Sequence, residues 1–336
     1  MTSAKDTDSI LNSLKKIIFE QLSPLINNNY IFLDLPYYTN IGDTLIYKGT
    51  EEFLKTLPYK CLYKTAIETY HKPKISKEVI ILLQGGGNFG DIWRRHTEFC
   101  LRIINEFPEN RIIILPQTVF YKDKTILKAD AYLMSKHPKL TICARDSVTH
   151  QLLKTFFPKN NILLVPDMAF YISQTHLNKY RKPEQNRELF FKRKDKEFQT
   201  FDYKNYLGNN NGIEEHEWPS MERKLFSSGI LNYLKRIHSV FKKFNYINFI
   251  SAKITDWYAV NIYMPRLIKT GIRFLSRYQY IYTTRLHGAI LSILLQKPIT
   301  FFDNSYGKNS SFYNTWLKDL NDIIMVEKEI QIQQKL

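Results

Sequence analysis

The sequence predicts an α/β protein with parallel sheets, arranged as two units. Apolar runs of strand length recur, each followed by a polar cluster, with stretches of helical period between them. That is the pattern of a parallel sheet covered on both faces. The chain has 336 residues, which is long for one small core and suits two. The alternation breaks near residues 172–186 and then resumes, dividing the chain into residues 1–172 and 173–336.

Residues 8–26 carry Ile10, Leu11, Leu14, Ile17, Ile18, Leu22 and Leu25 at helical spacing, with Lys15 and Lys16 on another face. A helix packed on its own core is the expectation, and a membrane-surface helix is the alternative. Residues 31–35 read as the first strand. They lead into Thr39-Asn40-Ile41-Gly42-Asp43 and a helix to about Leu57. Residues 79–84 form the second, followed by Gly85-Gly86-Gly87-Asn88-Phe89-Gly90-Asp91 and a helix to about Phe107. Residues 111–115, 141–144 and 162–165 come next, ending at Pro116-Gln117-Thr118, Arg145-Asp146-Ser147 and Pro166-Asp167. Residues 188–192 open a second sheet, and 208–212 are a plain loop signal. Helices are expected at about 222–244 and 256–277, then a strand at 280–283, a helix at 287–296 and a strand at 299–302.

Hydrophobic residues make up 44% of the chain and charged ones 24%, the balance of a folded rather than a disordered protein. The net charge of +16 concerns partners, not fold. It suits nucleic acid, an anionic membrane surface or small anionic substrates. Nucleic acid is disfavoured as a partner, because the basic residues are dispersed. The densest clusters are only Lys192-Arg193-Lys194 and Lys242-Lys243. The 22 Tyr and 22 Phe sit mostly in apolar runs, as core rather than as stacking platforms. Cys61, Cys100 and Cys143 form no CxxC pair, which argues against a disulfide framework and against a zinc site, and no metal is expected. The first residues lack a signal-peptide layout and no apolar run is long enough to span a bilayer. A cytoplasmic location is expected.

Ligands of parallel sheets bind at the carboxyl ends of the strands, so the residues there are the ones to weigh. The glycine stretch 85–90 either brings backbone N–H groups to a ligand or is a tight turn, and spacing alone leaves both open. It matches neither the dinucleotide fingerprint nor the P-loop. Asp43 and Asp91 each follow a glycine at a helix start, as N-caps or as working carboxylates. Arg145 is either half of a surface pair with Asp146, with Asp146 or Ser147 capping the next helix, or an anion clamp. Thr284-Arg285-Leu286-His287-Gly288 opens a helix that is otherwise apolar and therefore buried. Two basic groups at its positive end build a pocket for an anion, where Gly288 would let a ligand approach. Lys308 alone reads as a solvated loop lysine.

In chain order over about residues 31–316, Asn40-Ile41-Gly42-Asp43, Gly85-Gly86-Gly87-Asn88-Phe89-Gly90-Asp91, Ala144-Arg145-Asp146-Ser147, Pro166-Asp167, Thr284-Arg285-Leu286-His287-Gly288 and Asp303-Asn304-Ser305-Tyr306-Gly307-Lys308 resemble the polysaccharide pyruvyl transferase family. The resemblance implies two Rossmann-like domains facing a cleft, as in the glycosyltransferase-B fold. Residues 1–172 would form the acceptor side and 173–336 the donor side. It implies phosphoenolpyruvate as donor substrate, with no cofactor. The product is a pyruvate ketal on a sugar of a cell-surface polysaccharide or its lipid-linked precursor, the latter met at the inner membrane surface. In a mechanism consistent with the residues, His287 is the general acid and Asp43 the base, with Asp91 as fallback. Arg145, Arg285, Leu286 and Lys308 hold the donor, and His96, Asp91 and Asn88 face the acceptor. Residues 173–221 match no part of the family pattern. A nucleotide-sugar glycosyltransferase of the same architecture and a non-catalytic glycan- or membrane-binding relative are the competing readings.

Overall fold

A computed structural model describes residues 3–193, 203, 207, 212–241, 245–305 and 307–327. The loop signal at 208–211, Lys194, the pair Lys242-Lys243 and Tyr306 lie outside the described residues. Residues 30–164 supply one sheet: β1 (Tyr30–Leu33), β2 (Cys61–Thr65), β3 (Ile80–Leu83), β4 (Gly86–Gly90), β5 (Ile112–Phe120), β6 (Leu140–Ala144) and β7 (Asn161–Leu164). The order is β2-β1-β3-β5-β6-β7, with β4 paired on β5. Residues 185–326 supply a second: β8 (Gln185–Phe191), β9 (Ile213–His216), β10 (Tyr278–Thr283), β11 (Ile299–Phe302) and β12 (Ile323–Val326), in the order β12-β11-β10-β8-β9. Every pairing is parallel.

The continuous apolar runs have a direct cause. Phe32, Leu82, Ile113 and Cys143 join one hydrophobic cluster, while their neighbours Ile31, Ile81, Ile112 and Ile142 join another. Both faces of the first sheet are therefore covered, so no strand position can be polar without cost. The first cluster runs on into the second sheet through Leu189, Phe191, Ile281 and Ile299. Of the strands the sequence reading does not name, β4 and β12 apart, two are weakly patterned. Edge strand β2 has burial only at its end, and β9 is Ile-Glu-Glu-His.

The Ser3–Leu22 helix buries Leu11, Leu14, Ile18 and Leu22 against that same core. Its apolar stripe is occupied, which removes the membrane alternative for this helix. No described helix is long and apolar enough to cross a membrane. The helix expected at 256–277 starts earlier. It runs as Asn245–Tyr258, a π-helical turn Ala259–Tyr263 and then Met264–Leu275. Pro265, in the first turn after the π segment, has no N–H for the ladder, and a π turn is one way to absorb that loss.

Each sheet has one point where the chain reverses its direction of winding. The chain leaves β1 for β2 on one side and returns to β3 on the other. It likewise leaves β8 for β9 and returns to β10. Crevices open at such points. The helix after β1, Ile41–Leu54, is held by contact with the Met168–Tyr171 turn after β7. Gly49 makes that approach possible, since a Cβ there would lie 1.8 Å from the Met168 carbonyl oxygen. Glycine to alanine inside a helix ordinarily stabilises by roughly 0.5–1 kcal/mol. Gly49→Ala should do the reverse and lower the melting temperature. An unchanged or raised melting temperature would show that the two elements are not so closely packed.

Candidate active site

A cavity of about 380 Å³ lies where the carboxyl ends of the two sheets meet. Asp43, Asn88, His96 and Arg145 line it from the first sheet's residues, and Arg193, Arg285, Leu286, His287 and Lys308 from the second's. All the residues singled out for donor or acceptor are therefore brought together, except Asp91. Asp91 is not in the lining. One of its carboxylate oxygens accepts the backbone N–H groups of Lys122 and Asp123 at 2.7 Å each, which fixes the loop after β5.

Arg145 follows β6 and is fully buried. It is no surface partner of Asp146. Its Nη1 donates to Asp167 at 2.7 Å and its Nε to Thr118 at 2.9 Å, while Nη2 is buried with no hydrogen-bond partner. Asp146 instead caps the Ser147–Phe156 helix through the Thr149 N–H. It also accepts from Ser311, and Trp316 Nε1 donates to the Arg145 carbonyl at 2.7 Å. These bonds dock the Lys308–Trp316 helix of the second sheet on the first. They carry Lys308 to Arg145. A Cβ on Gly87 would meet Lys308 Nζ at 2.8 Å and Arg145 Nη2 at 3.2 Å, so two cationic ends converge on one glycine. Lys308 is thus buried at a helix start whose loop is tied by Asp303, not a solvated loop lysine.

Asp167 follows β7 and joins Arg145 to His287, whose Nε2 stands 3.3 Å from the carboxylate. Burial alone would raise the Asp167 pKa. The His287 imidazole and the Arg145 guanidinium outweigh it and hold the carboxyl well below the usual range. The His287 ring lies over Gly42, where a Cβ would come within 2.7 Å of Nδ1. The Leu286–Leu294 helix is buried throughout, and its N-cap, Arg285, makes no side-chain cap bond. Arg285 pairs with Glu217, which follows β9.

In the part of the lining drawn from the first sheet's residues, His96 Nδ1 lies 2.9 Å from Asp34, which follows β1 with φ of 65°. Asp34 outweighs the effect of burial and raises the His96 pKa. Asn40, not Asp43, caps the Ile41–Leu54 helix. The Asp43 carboxylate is held by Asn40 Nδ2 at 2.7 Å and lines the cavity. Asn88 donates to Tyr38 at 3.1 Å.

The glycines have other uses than the sequence suggests. Residues 86–90 are a strand, not a loop. Gly85 and Gly90 lie so close to the β5 backbone that a Cβ would meet carbonyl oxygens at 2.6 and 1.8 Å. Gly288 is packed on Phe191 and Thr283, with Cβ contacts of 2.5 and 2.7 Å, so it serves packing and not ligand approach. Asp34, Arg193 and Glu217 escape the sequence reading, although Asp34 and Glu217 directly follow a strand and Arg193 lies two residues past the end of β8. The carboxyl-end rule finds them only once those strands and their ends are known.

Removing the carboxylate that faces Arg145 and His287 tests this arrangement. Asp167→Asn leaves a buried guanidinium without its counter-ion and should cost about 3–5 kcal/mol in denaturant unfolding. Asp167 titrates below its unfolded value, so its stabilisation is present above the ordinary carboxylate range and lost as pH falls through the folded-state value. That part of the acid-side slope should be missing in Asp167→Asn. An unchanged slope and stability would separate Asp167 from Arg145.

The sequence model of the polysaccharide pyruvyl transferase family matches residues 40–306. The chain is 32% identical over 304 residues to the putative pyruvyl transferase EpsO of Bacillus subtilis, covering 88% of each chain. It is 26% identical over 296 residues to pyruvyl transferase 1 of Schizosaccharomyces pombe, covering 85% of this chain and 69% of that one. A crystal structure of an uncharacterized protein from Klebsiella pneumoniae superposes with a TM-score of 0.61 at 20% identity, covering 94% of this chain and 98% of that one, and so shares the fold. With the matched stretch taking in strands of both sheets and the lining residues from Asn40 to His287, the chain belongs to the polysaccharide pyruvyl transferase family.

Proposed function

We propose that this cavity transfers the pyruvyl group of phosphoenolpyruvate to a sugar of a cell-surface polysaccharide or its lipid-linked precursor. Residues 1–172 and 173–336 then act as two Rossmann-like domains, acceptor side and donor side, facing the cleft that holds the cavity. The observation that carries the reading is the buried, unpartnered Nη2 of Arg145 beside Lys308 Nζ. A buried donor without a partner costs roughly 1–3 kcal/mol, which a bound anion would recover. Arg145 and Lys308, with Arg285 and the start of the Leu286–Leu294 helix, suit a small molecule bearing both a phosphate and a carboxylate.

In this reading His287, oriented by Asp167, protonates the methylene carbon of the donor. A cation-like centre forms at the neighbouring carbon. A sugar hydroxyl attacks it and gives its proton to Asp43. The C–O bond to phosphate breaks and phosphate leaves with the electron pair; a second hydroxyl then closes the ketal and returns a proton to the neutral His287, while Asp43 gives its proton up to the departing phosphate. Asp167 stays ionised beside His287 and holds its ring in place for the proton transfer. His96 and Asn88 face the acceptor, with Asp34 fixing the His96 ring. The chemistry draws on residues of this chain and on the two substrates.

Phosphate release in the presence of donor and acceptor is the direct assay. His287→Ala and Arg285→Ala should each lower it by about 10²–10⁴-fold, the usual worth of a positioned proton donor or charge-stabilising group. Near-normal turnover in either would sink the assignment. Asp43→Asn should lower kcat by a similar factor while the KM for phosphoenolpyruvate stays close to that of the parent. A nucleotide sugar that replaces phosphoenolpyruvate as donor would overturn the reading outright.

A further inference from the structure

We infer that the outward face of the hairpin formed by the Phe226–Val240 and Asn245–Tyr258 helices lies on an anionic lipid bilayer. The two helices pack against each other. Besides the apolar residues they bury, such as Leu231 and Tyr258, both carry large apolar side chains on the side that meets water. On the second helix, the side turned to the protein carries Ser251 and Thr255, with Asp256 accepting from Thr65 and Thr69. The side turned outward carries Tyr246, Ile247, Phe249, Ile250, Ile254 and Trp257, each exposed by 40% to 77%. On the first helix Phe226, Tyr233 and Val240 recur at seven-residue intervals, so they share one face, and are 65% to 82% exposed. Nine of the 17 large exposed hydrophobic side chains among the described residues thus stand on this one hairpin. Single exposed apolar residues are ordinary, but such a concentration marks a surface that is covered by something.

The charge says what covers it. Residues 226–258 hold 5 Lys and Arg and a single acidic residue, Asp256, whose carboxylate faces inward; Arg236 and Lys253 are exposed, while Lys235 turns inward to Glu68. Apolar side chains interleaved with basic ones are the composition of a helix lying in an anionic membrane interface. A second copy of this chain would bring the same positive charge to the same face, which disfavours a dimer. A groove also leads inward from the hairpin. It is lined by Arg223, Lys224, Tyr233 and Arg236 together with one carboxylate, Glu222, which pairs with His216, and it shares Thr39 and Met221 with the candidate site cavity. On the proposed function, which this last step rests on, a lipid-carried acceptor reaches the cavity along this groove, with its anionic linker against the three cations.

The test uses the full chain and no donor or acceptor, so its outcome is independent of the pyruvyl-transfer reading. The protein is sedimented with vesicles of phosphatidylcholine, and with vesicles of equal parts phosphatidylcholine and phosphatidylglycerol. It should bind the second and not the first. The triple substitution Ile250→Glu, Ile254→Glu, Trp257→Glu should lower binding at least about tenfold, with far-UV circular dichroism and melting temperature unchanged. Should that variant fail to fold, quenching of tryptophan fluorescence by brominated phosphatidylglycerol decides. It should be strong in the parent and largely lost in Trp257→Phe. Absence of binding to the anionic vesicles, binding undiminished in the triple variant, or quenching unchanged in Trp257→Phe would overturn the inference. So would a dimer in light scattering that the triple substitution converts to monomer.

Discussion

Arg145 is a full positive charge sealed from solvent, and the ion pair it makes with Asp167 is the constraint around which the rest is arranged. Burying two ions costs several kcal/mol each, and their attraction repays that cost only with good geometry and further hydrogen bonds. Here the remaining valences are assigned one by one. Thr118 takes Nε, the Ala169 N–H is donated to Asp167 at 2.9 Å, and His287 takes the second bond to the same carboxylate. Only Nη2 of Arg145 is left over, and it is left over at the cavity wall. Such an arrangement is poor value as a stability device. It makes sense as a prepared electrostatic site whose last partner is a substrate.

That constraint explains how the two sheets are joined. Arg145 and Asp167 follow adjacent strands of the first sheet, whereas His287 begins a helix of the second. The carboxylate cannot hold both unless the carboxyl edges of the two sheets face each other. The shared apolar cluster and the bonds from Ser311 and Trp316 to the 145–146 segment hold them there. The glycines follow from the same demand for closeness. Gly42 makes room for the His287 ring and Gly87 for two cationic ends, while Gly85, Gly90 and Gly288 let backbone or side chains pack without a Cβ between them.

The surplus of positive charge divides into two kinds of use. Within the site, Asp167 and Glu217 partner Arg145 and Arg285, so specificity comes from directed donors rather than from raw charge. On the 226–258 hairpin Arg236 and Lys253 are exposed beside apolar side chains, which suits the proposed long-range attraction to an anionic surface. The N-terminal helix shows why a stripe of apolar residues in sequence cannot assign such a surface. Its stripe is as good as any, and the core covers it.

The sequence by itself determined the parallel α/β class, most strands of both sheets, and the family-defining segments, because two-sided burial and helix starts leave local marks. Thr284–Gly288 was legible as the positive end of a buried helix, since the eight apolar or small residues from Gly288 to Leu295 have nowhere to go but inside. Only the tertiary structure decided which charges pair. Asp34 with His96, Glu217 with Arg285 and Asp167 with both Arg145 and His287 are separated by 22 to 120 positions. No local rule spans such distances. The same holds for the glycines: spacing left residues 85–90 open between ligand approach and a tight turn and pointed Gly288 to ligand approach, whereas Gly85, Gly90 and Gly288 serve packing. A missing Cβ is visible in the sequence, but what occupies its place is set by chain segments far away.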